Sequence, residues 1–159
     1  MNDLRLGFGY DIHRLASDRR LVLGGLVLEH PTGLVGHSDG DVLLHAVMDA
    51  LLGAAGLGDL GTQFPSDDAA YKDADSLALL GRVSGLVRGL GYTVASVDVT
   101  VIAEAPRIGP HVARMRGAVA KGLGIDAGRV SVKAKTNEGI GAIGAGKAIA
   151  AMATALITR

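Results

Sequence analysis

The sequence contains no cysteine and no tryptophan, and aromatic residues make up only 3% of its 159 positions. Without thiols, the chain cannot form disulfides, thiolate nucleophiles, zinc ribbons or iron–sulfur clusters. Because aromatics are so few, the core must be built from Ala, Val, Leu and Ile. Net charge is absent as well, since 16 basic residues balance 16 acidic ones. This balance argues against nucleic acid as a partner, which would require a basic excess.

Long apolar runs are also missing. None reaches the roughly 18 residues of a membrane helix, and residues 1–13 lack the apolar core of a signal peptide. We therefore expect a cytoplasmic protein with no membrane partner. A length of 159 residues is typical of one domain, and no composition shift marks a linker, so we expect a single domain over residues 1–159.

The hydrophobic pattern predicts strands interleaved with helices, that is, an α/β or α+β domain on one sheet. Alternation predicts strands, helical spacing predicts helices, and Gly24-Gly25 divides a hairpin over 21–28. The predicted strands are 4–13, 94–104 and 129–136, and the predicted helices are 39–56, 75–90 and 111–123. Ser38 or Asp39 is expected to cap the first helix. The tail at 147–157 is ambiguous: propensity weakly favours a helix, but its alternation also suits a strand.

Two short patterns could hold a metal. Asp11 and His13 are two positions apart on a predicted strand, so their side chains point the same way. Asp41, His45 and Asp49 are spaced by four on a predicted helix and form a polar stripe. A solvated helix face explains that stripe equally well. Two imidazoles and one carboxylate nevertheless suit a catalytic Zn²⁺ with an open position, and Asp49 could orient a ligand.

Three further segments carry polar groups in places that suit anions or cations. His37-Ser38 precedes a helix N-terminus, where anions bind, although simple capping is the alternative. The loop at 58–68 is long and acidic, but it could be an ordinary surface loop. Residues 133–138 combine lysines, a hydroxyl and a carboxylate, which suits phosphate and a hard cation such as Mg²⁺. An edge strand protected by lysine is the alternative there.

Four segments, in this order and spacing, resemble the 2-C-methyl-D-erythritol 2,4-cyclodiphosphate synthase family. They read GYDIHRL, GHSDGDVLLHAVMDALLGAAGLGDLGTQFPSDD, DVTVIAEAPRIGPHVARMR and VKAKTNEGIG, and the likeness covers essentially the whole chain. The resemblance implies a single-domain α/β fold with a mixed β-sheet and helices on one face, assembled as a homotrimer with active sites between subunits. It also implies that the C-terminal segment is a strand, because burial in a sheet can override helix propensity.

The resemblance further implies a metal-dependent lyase. Such an enzyme converts 4-diphosphocytidyl-2-C-methyl-D-erythritol 2-phosphate into the 2,4-cyclodiphosphate and releases CMP, in the non-mevalonate route to isoprenoid precursors. Asp11, His13 and His45 match zinc ligands, and Glu138 matches the ligand of a second cation, Mg²⁺ or Mn²⁺. His37 and Thr136 match residues that stabilise the transition state.

The substrate-binding positions implied by the resemblance fall into five groups along the chain. They are Asp11, Ile12 and His13; His37 and Ser38; Asp59, Leu60, Gly61, Phe64, Pro65, Ser66, Asp67 and Asp68 around the methylerythritol; Ala103, Glu104, Ala105, Pro106, Arg107, Ile108 and Gly109 around the cytidine; and Lys135, Thr136, Asn137 and Glu138 beside the phosphates. A zinc phosphoesterase and a non-catalytic isoprenoid-phosphate-binding trimer are the alternative functions.

The glycine-rich segment near the C-terminus departs from the family pattern. Where the family reads close to GFxGRGEG, this chain has Ala142, Ala145 and Lys147 in place of the usual aromatic, Arg and Glu. In relatives that Arg lies near the trimer axis, beside a cavity that takes an isoprenoid diphosphate. We therefore do not expect such a ligand to bind here in the same way.

Overall fold

The computed structural model describes residues 3–65, 67–68, 71 and 73–159. Strands and helices alternate along this part of the chain, together with two 3-10 turns, Gly109–His111 and Ala127–Arg129. The strands are β1 (Leu4–Ala16), β2 (Leu21–Leu23), β3 (Leu26–Leu28), β4 (Gly33–Leu34), β5 (Thr93–Ile102), β6 (Val130–Lys135) and β7 (Ala148–Thr158). The helices are α1 (Val42–Ala55), α2 (Leu60–Gln63), α3 (Ser76–Gly89), α4 (Val112–Leu123) and α5 (Gly141–Gly144).

A five-stranded mixed sheet with the strand order β4-β1-β7-β5-β6 organises the domain. Only β5 and β6 run parallel, while β1 and β5 each pair antiparallel with β7. The helices cover one face of the sheet, where Val, Leu, Ile and Ala side chains form the core. This confirms the expected single-domain α/β fold with a mixed sheet. None of the helices in the described part of the chain is long and apolar enough to cross a membrane.

Helix α1 lies against the centre of the sheet because two glycines of β1 make room for it. A Cβ placed on Gly7 would lie 1.8 Å from the Ala50 carbonyl oxygen, and one on Gly9 would lie 2.0 Å from that of Ala46. Only glycine fits at such a backbone approach. On the neighbouring strand β7, Ala151, Ala153 and Ala155 are buried. These small side chains let α1 pack closely on β7 as well.

The C-terminal segment is a strand, as the resemblance implied and against its helix propensity. Strand β7 pairs along its whole length with β1, from Leu4↔Thr158 to Arg14↔Ala148, and also with β5. A central strand gains ladder hydrogen bonds on both sides and buries its alternate residues. These tertiary gains outweigh the small helix preference of alanine.

Several predicted boundaries shift. The cap of α1 is Asp41, which accepts from the Leu44 N–H, so the expectation of Ser38 or Asp39 was wrong. The loop after α1 contains the short helix α2, which Asp59 caps through Thr62. The predicted hairpin is confirmed, with Gly24 and Gly25 at φ +59° and +74° in its turn.

Candidate active site

Asp11, His13 and His45 converge where the C-terminal half of β1 faces the first turns of α1. Asp11 Oδ2 lies 2.8 Å from His13 Nε2 and 2.9 Å from His45 Nδ1. One ligand atom from each of the three side chains falls within 4.8 Å of the others, a spacing that could hold a metal ion. Among the described residues this is the only group of three or more His, Asp or Glu side chains with such geometry. The site therefore fits a divalent metal.

The polar stripe on α1 is not a solvated face. Asp41 is fully buried and His45 is 7% exposed. Asp49 does not join the three candidate ligands; its Oδ1 accepts from the Leu60 backbone N–H at 2.7 Å. Asp49 thus ties the start of α2 to α1 and places the following loop over the site.

The imidazole nitrogens that point away from Asp11 are also engaged. His13 Nδ1 lies 2.6 Å from the Val35 carbonyl oxygen. Because a carbonyl only accepts hydrogen bonds, the Nδ1 hydrogen of His13 points to Val35, and Nε2 is the nitrogen that faces the site. His45 Nε2 lies 3.0 Å from Ser38 Oγ and 3.2 Å from Ser76 Oγ. Partners of this kind orient metal-binding histidines.

The electrostatics of the group favour an ionised carboxylate. Burial alone would raise the pKa of Asp11, but side-chain hydrogen bonds with His13 and His45, together with the Coulombic effect of these two imidazoles, lower that pKa well below its usual range. Burial lowers the pKa of His13, but the hydrogen bond to Asp11 and its negative charge outweigh burial and raise that pKa. Asp11 is therefore available as a negatively charged oxygen ligand.

A cavity of about 190 Å³ opens beside the two histidines. It brings together several residues that the sequence predicted to bind substrate or metal, as well as two, Tyr71 and Leu79, that it did not. The lining residues are His13, His37, Ser38, His45, Leu60, Gly61, Phe64, Tyr71 and Leu79. Its wall is mostly apolar, and besides Tyr71 its polar side chains are three histidines and Ser38. This composition suits a small carbon skeleton carrying phosphate.

Among the described residues of the loop, Asp59, Pro65, Asp67 and Asp68 do not line this cavity. Asp59 caps α2 through the Thr62 backbone N–H and hydroxyl at 2.8 and 2.7 Å. These hydrogen bonds lower the pKa of Asp59. Pro65, Asp67 and Asp68 are exposed, and Ser66 lies outside the described residues. Ile12 donates its backbone N–H to Asp11 Oδ1 at 2.9 Å, while its side chain is exposed on the other face of β1.

A second cleft of about 350 Å³ lies where β5 and β6 end. It contains most of the segment expected to receive the cytidine. The lining residues are Ala103, Glu104, Pro106, Arg107, Ile108, Gly109, Pro110, Ala134, Lys135 and Thr136. Glu104 has a structural part here, because its Oε1 accepts from the backbone N–H of Asn137 at 2.7 Å and of Gly139 at 3.3 Å. It thereby links the loop after β5 to the loop after β6.

Glu138 is exposed at the rim of this second region, in the left-handed conformation at φ +52°. Its Oε1 accepts from Thr136 Oγ1 at 3.1 Å. The two cavities have no lining residue in common among the residues that the structure describes. Within one chain, the two histidines of the candidate metal site and most of the predicted cytidine residues thus line separate depressions.

Sequence reasoning missed the groups behind His45. Ser76, the first residue of α3, is fully buried beside the imidazole, and Asp39 accepts from its hydroxyl. Nothing in the hydrophobic pattern singles out Ser76, because a serine at a helix start is ordinary. The Val35 carbonyl behind His13 was missed too, since a backbone group leaves no trace in residue type.

A single-domain α/β protein with a carboxylate and two imidazoles converging beside a cavity belongs to the class of candidate metal-binding enzymes. The YgbB family model matches residues 4–158. The chain belongs to the YgbB family, and with it to the 2-C-methyl-D-erythritol 2,4-cyclodiphosphate synthases of isoprenoid biosynthesis, which are cyclising enzymes of the lyase type.

Relatives with this name match the chain over nearly its full length. The 2-C-methyl-D-erythritol 2,4-cyclodiphosphate synthase of Verminephrobacter eiseniae is 55% identical over 157 residues, which are 98% of this chain and 86% of that protein. The synthase of Symbiobacterium thermophilum is 56% identical over 96% of this chain and 97% of its own length. Among solved structures, IspF of Plasmodium falciparum in complex with CDP superposes with a TM-score of 0.86 at 35% identity, over 99% of this chain and 97% of that one.

Proposed function

We propose that this chain, over residues 1–159, is one catalytic domain that performs a metal-dependent cyclisation. The substrate is 4-diphosphocytidyl-2-C-methyl-D-erythritol 2-phosphate, and the products are 2-C-methyl-D-erythritol 2,4-cyclodiphosphate and CMP. The observation that carries the metal requirement is the convergence of Asp11 Oδ2, His13 Nε2 and His45 Nδ1. One oxygen and two nitrogen ligands with room for a fourth are typical of catalytic Zn²⁺.

The reaction needs no protein nucleophile. An oxygen of the substrate's own 2-phosphate attacks the β-phosphorus, a new P–O bond forms there, and the bond from that phosphorus to the CMP oxygen breaks. Zn²⁺ at Asp11, His13 and His45, with Mg²⁺ or Mn²⁺ at Glu138, would polarise phosphate oxygens and neutralise the charge that builds on the departing CMP. The protein has to fold a flexible, highly anionic substrate so that attack and departure are in line.

The two cavities divide this task. The apolar cavity beside the histidines suits the methylerythritol, with Leu60 and Phe64 along its wall. The cleft at 103–109 suits the cytidine, in keeping with the CDP complex of the Plasmodium relative. His37 and Ser38 line the first cavity and Thr136 lines the second. We assign His37 and Thr136 to hydrogen bonds with the transition state, where negative charge grows, and Ser38, Lys135 and Asn137 to substrate contact.

The same separation supports a homotrimer in which each active site is shared by two subunits. A single chain does not bring the two cavities together, so a neighbour would have to supply the second one. The sheet face opposite the helices supports this assembly, because Leu6, Phe8 and Tyr10 of β1 are 71%, 63% and 46% exposed there. Continuous exposed apolar surface of this kind marks protein interfaces. We place the trimer in the cytoplasm, an expectation that comes from the sequence alone.

Phosphorus NMR on the purified protein with the cytidylylated substrate tests the proposal directly. We expect resonances of the cyclic diphosphate and of CMP, in equal amounts, and their loss on addition of a chelator. An opened, hydrolysed phosphate product would instead identify a zinc phosphoesterase. Tight substrate binding without any product would identify a binding protein. Full turnover in the presence of chelator would contradict the metal requirement.

A further inference from the structure

The side of His45 that faces away from Asp11 meets two residues outside the predicted site. His45 Nε2 lies 3.2 Å from Ser76 Oγ, and Ser76 Oγ lies 2.5 Å from Asp39 Oδ1. Ser76 is fully buried. Asp39 also accepts from the Ser76 backbone N–H at 3.0 Å through its other oxygen. The serine is therefore clamped in place at both of its polar groups.

The direction of these hydrogen bonds follows from the chemistry of the groups. A carboxylate only accepts, so the Ser76 hydroxyl donates its one hydrogen to Asp39. Ser76 Oγ can then only accept from His45, which requires the imidazole hydrogen to be on Nε2. With the hydrogen there, Nδ1 has a free lone pair on the side of Asp11 and His13.

The preference of His45 for the Nε2–H form matters because Asp11, on the other side of the ring, favours the opposite tautomer. Asp11 Oδ2 is 2.9 Å from His45 Nδ1 and, without a metal, attracts the imidazole hydrogen to Nδ1. A hydrogen at Nδ1 would block metal binding. Ser38 Oγ also lies near Nε2, at 3.0 Å, and accepts from the Gly40 N–H. Ser38, however, borders the cavity and is assigned to substrate, whereas Ser76 does not line it.

We propose that Ser76 and Asp39 are positioning residues that hold His45 as the Nε2–H tautomer, through the hydrogen-bond chain His45 Nε2–H to Ser76 Oγ–H to Asp39 Oδ1. These hydrogen bonds keep His45 Nδ1 as a lone-pair donor, ready to bind the cation. This inference rests on the proposed function, because it assumes that His45 is a metal ligand. Substitutions at such supporting residues typically cost 10–100-fold in metal affinity.

The first test compares tautomers in the metal-free protein. Two-bond proton–nitrogen correlation spectra of histidine-labelled protein at alkaline pH distinguish the Nδ1–H and Nε2–H forms. We expect Ser76→Ala and Asp39→Asn to shift His45 toward Nδ1–H, because the pull of Asp11 is then less opposed. Identical tautomer populations in the variants and the parent would overturn the proposal. Asp39→Asn provides the answer should Ser76→Ala fail to fold.

The second test measures Zn²⁺ affinity by competition with a chromophoric chelator. We expect Ser76→Ala to weaken binding about 10-fold or more. Ser84→Ala is the matched control, since Ser84 is also buried on α3 but donates to the Leu123 carbonyl instead; its affinity should stay within about twofold of the parent. Equal losses in both variants, or none in either, would overturn the proposal.

The two proposals can fail separately. If the parent protein binds no Zn²⁺, the proposed function is wrong, and the tautomer comparison, made without metal, still decides the present inference. If the parent binds Zn²⁺ tightly and Ser76→Ala binds it equally well with the same tautomer, the metal site stands and the positioning role is refuted.

Discussion

Asp11 Oδ2 lies 2.9 Å from His45 Nδ1, although the two residues are 34 positions apart in the chain. Their closeness depends on how near α1 approaches β1, and Gly7 and Gly9 set that approach. The candidate metal site is therefore a product of sheet–helix packing, and changes to either can be expected to reach it.

Removing the His45 side chain should abolish metal retention and turnover together. In His45→Ala, one of three protein ligands is lost, and the remaining pair cannot hold the ion tightly. Metal content of the purified protein and CMP release, measured on the same preparation, check this. Normal turnover with a metal content near zero would refute the assignment of the site.

Adding a side chain at Gly9 should disrupt the metal site by displacing α1. In Gly9→Ala the new methyl would meet the Ala46 carbonyl oxygen at 2.0 Å, so α1 must move away from β1. Overpacking of this kind costs about 1–3 kcal/mol or more, and we expect Zn²⁺ affinity to fall as His45 moves with the helix. Urea unfolding and chelator competition measure the two effects.

Gly53→Ala, on the helix α1 that Gly9 packs against, is the control. A Cβ there meets nothing within 4 Å, and alanine favours a helix over glycine by about 0.5–1 kcal/mol. We expect this variant to be slightly more stable than the parent, with unchanged Zn²⁺ affinity. If Gly9→Ala behaved like Gly53→Ala, the close packing of α1 on β1 would not matter for the site.

Glu138 should affect turnover without affecting Zn²⁺. Glu138→Ala removes the proposed ligand of the second cation, and charge stabilisation by such a cation is worth several kcal/mol. We expect a loss of about 100-fold or more in kcat and a changed dependence on Mg²⁺ concentration, with zinc content intact. Glu29→Ala, at another exposed glutamate, should behave like the parent. Unchanged magnesium titrations in Glu138→Ala would exclude the assigned role.

The exposed sheet face can be tested through the oligomeric state. Phe8 is 63% exposed on that face, and Phe8→Lys would place a charge where we propose that subunits meet. We expect the mass measured by sedimentation equilibrium to fall from a trimer to a monomer, and activity to fall with it. Val27→Lys is the control, because Val27 is equally exposed, at 60%, but lies on β3 outside the main sheet. A monomeric parent protein, or a trimeric Phe8→Lys, would contradict the proposed assembly.

Asp41 should impose its own pH dependence on stability. Burial raises the pKa of Asp41, and the charge of Asp39 adds to this, although the N–H groups of Gly25, Leu44 and Gly24 oppose it. A raised pKa in the folded state means that the native carboxyl binds its proton more readily than the unfolded one. Its contribution to stability is therefore complete below the unfolded value and is lost as pH rises through the raised value.

Urea unfolding across a pH series, on the parent and on Asp41→Asn, measures this contribution. The parent should lose stability relative to the variant as pH rises above about 3.8, the ordinary value of an aspartate. An amide accepts fewer of the three N–H groups, so we also expect the variant to be less stable overall, by about 1–3 kcal/mol. A difference between the two proteins that does not change with pH would show that the pKa of Asp41 is not raised.

Much of the fold followed from local pattern. Alternation placed Asp11 and His13 on the same side of a strand, and both side chains point into the site. Helical spacing located α1, α3 and α4 to within a few residues. These features depend only on the repeat of the backbone, which is local and leaves its mark on neighbouring residues. The pairing of His45 with Asp11 and His13 was weaker from spacing alone and rested on the family resemblance.

Other features could not be predicted from local sequence pattern. The chain from Ala148 to Thr158 has the composition of a helix, yet it is a strand because β1 and β5 pair with it on both sides. The cap of α1 is Asp41, whose carboxylate also accepts from the backbone N–H groups of Gly24 and Gly25. Local spacing does not show this tertiary contact. Ser76 reaches His45 only because α3 packs against α1.

Local pattern therefore established most of the longer strands and helices, together with the residue types that can hold a cation. Tertiary structure decided which of those residues meet, which ring nitrogen faces the site, and how α1 is seated on the sheet. The physical reason is range: propensity and periodicity act between neighbours, whereas burial, ladder pairing and hydrogen-bond direction depend on partners that only the folded chain brings into contact.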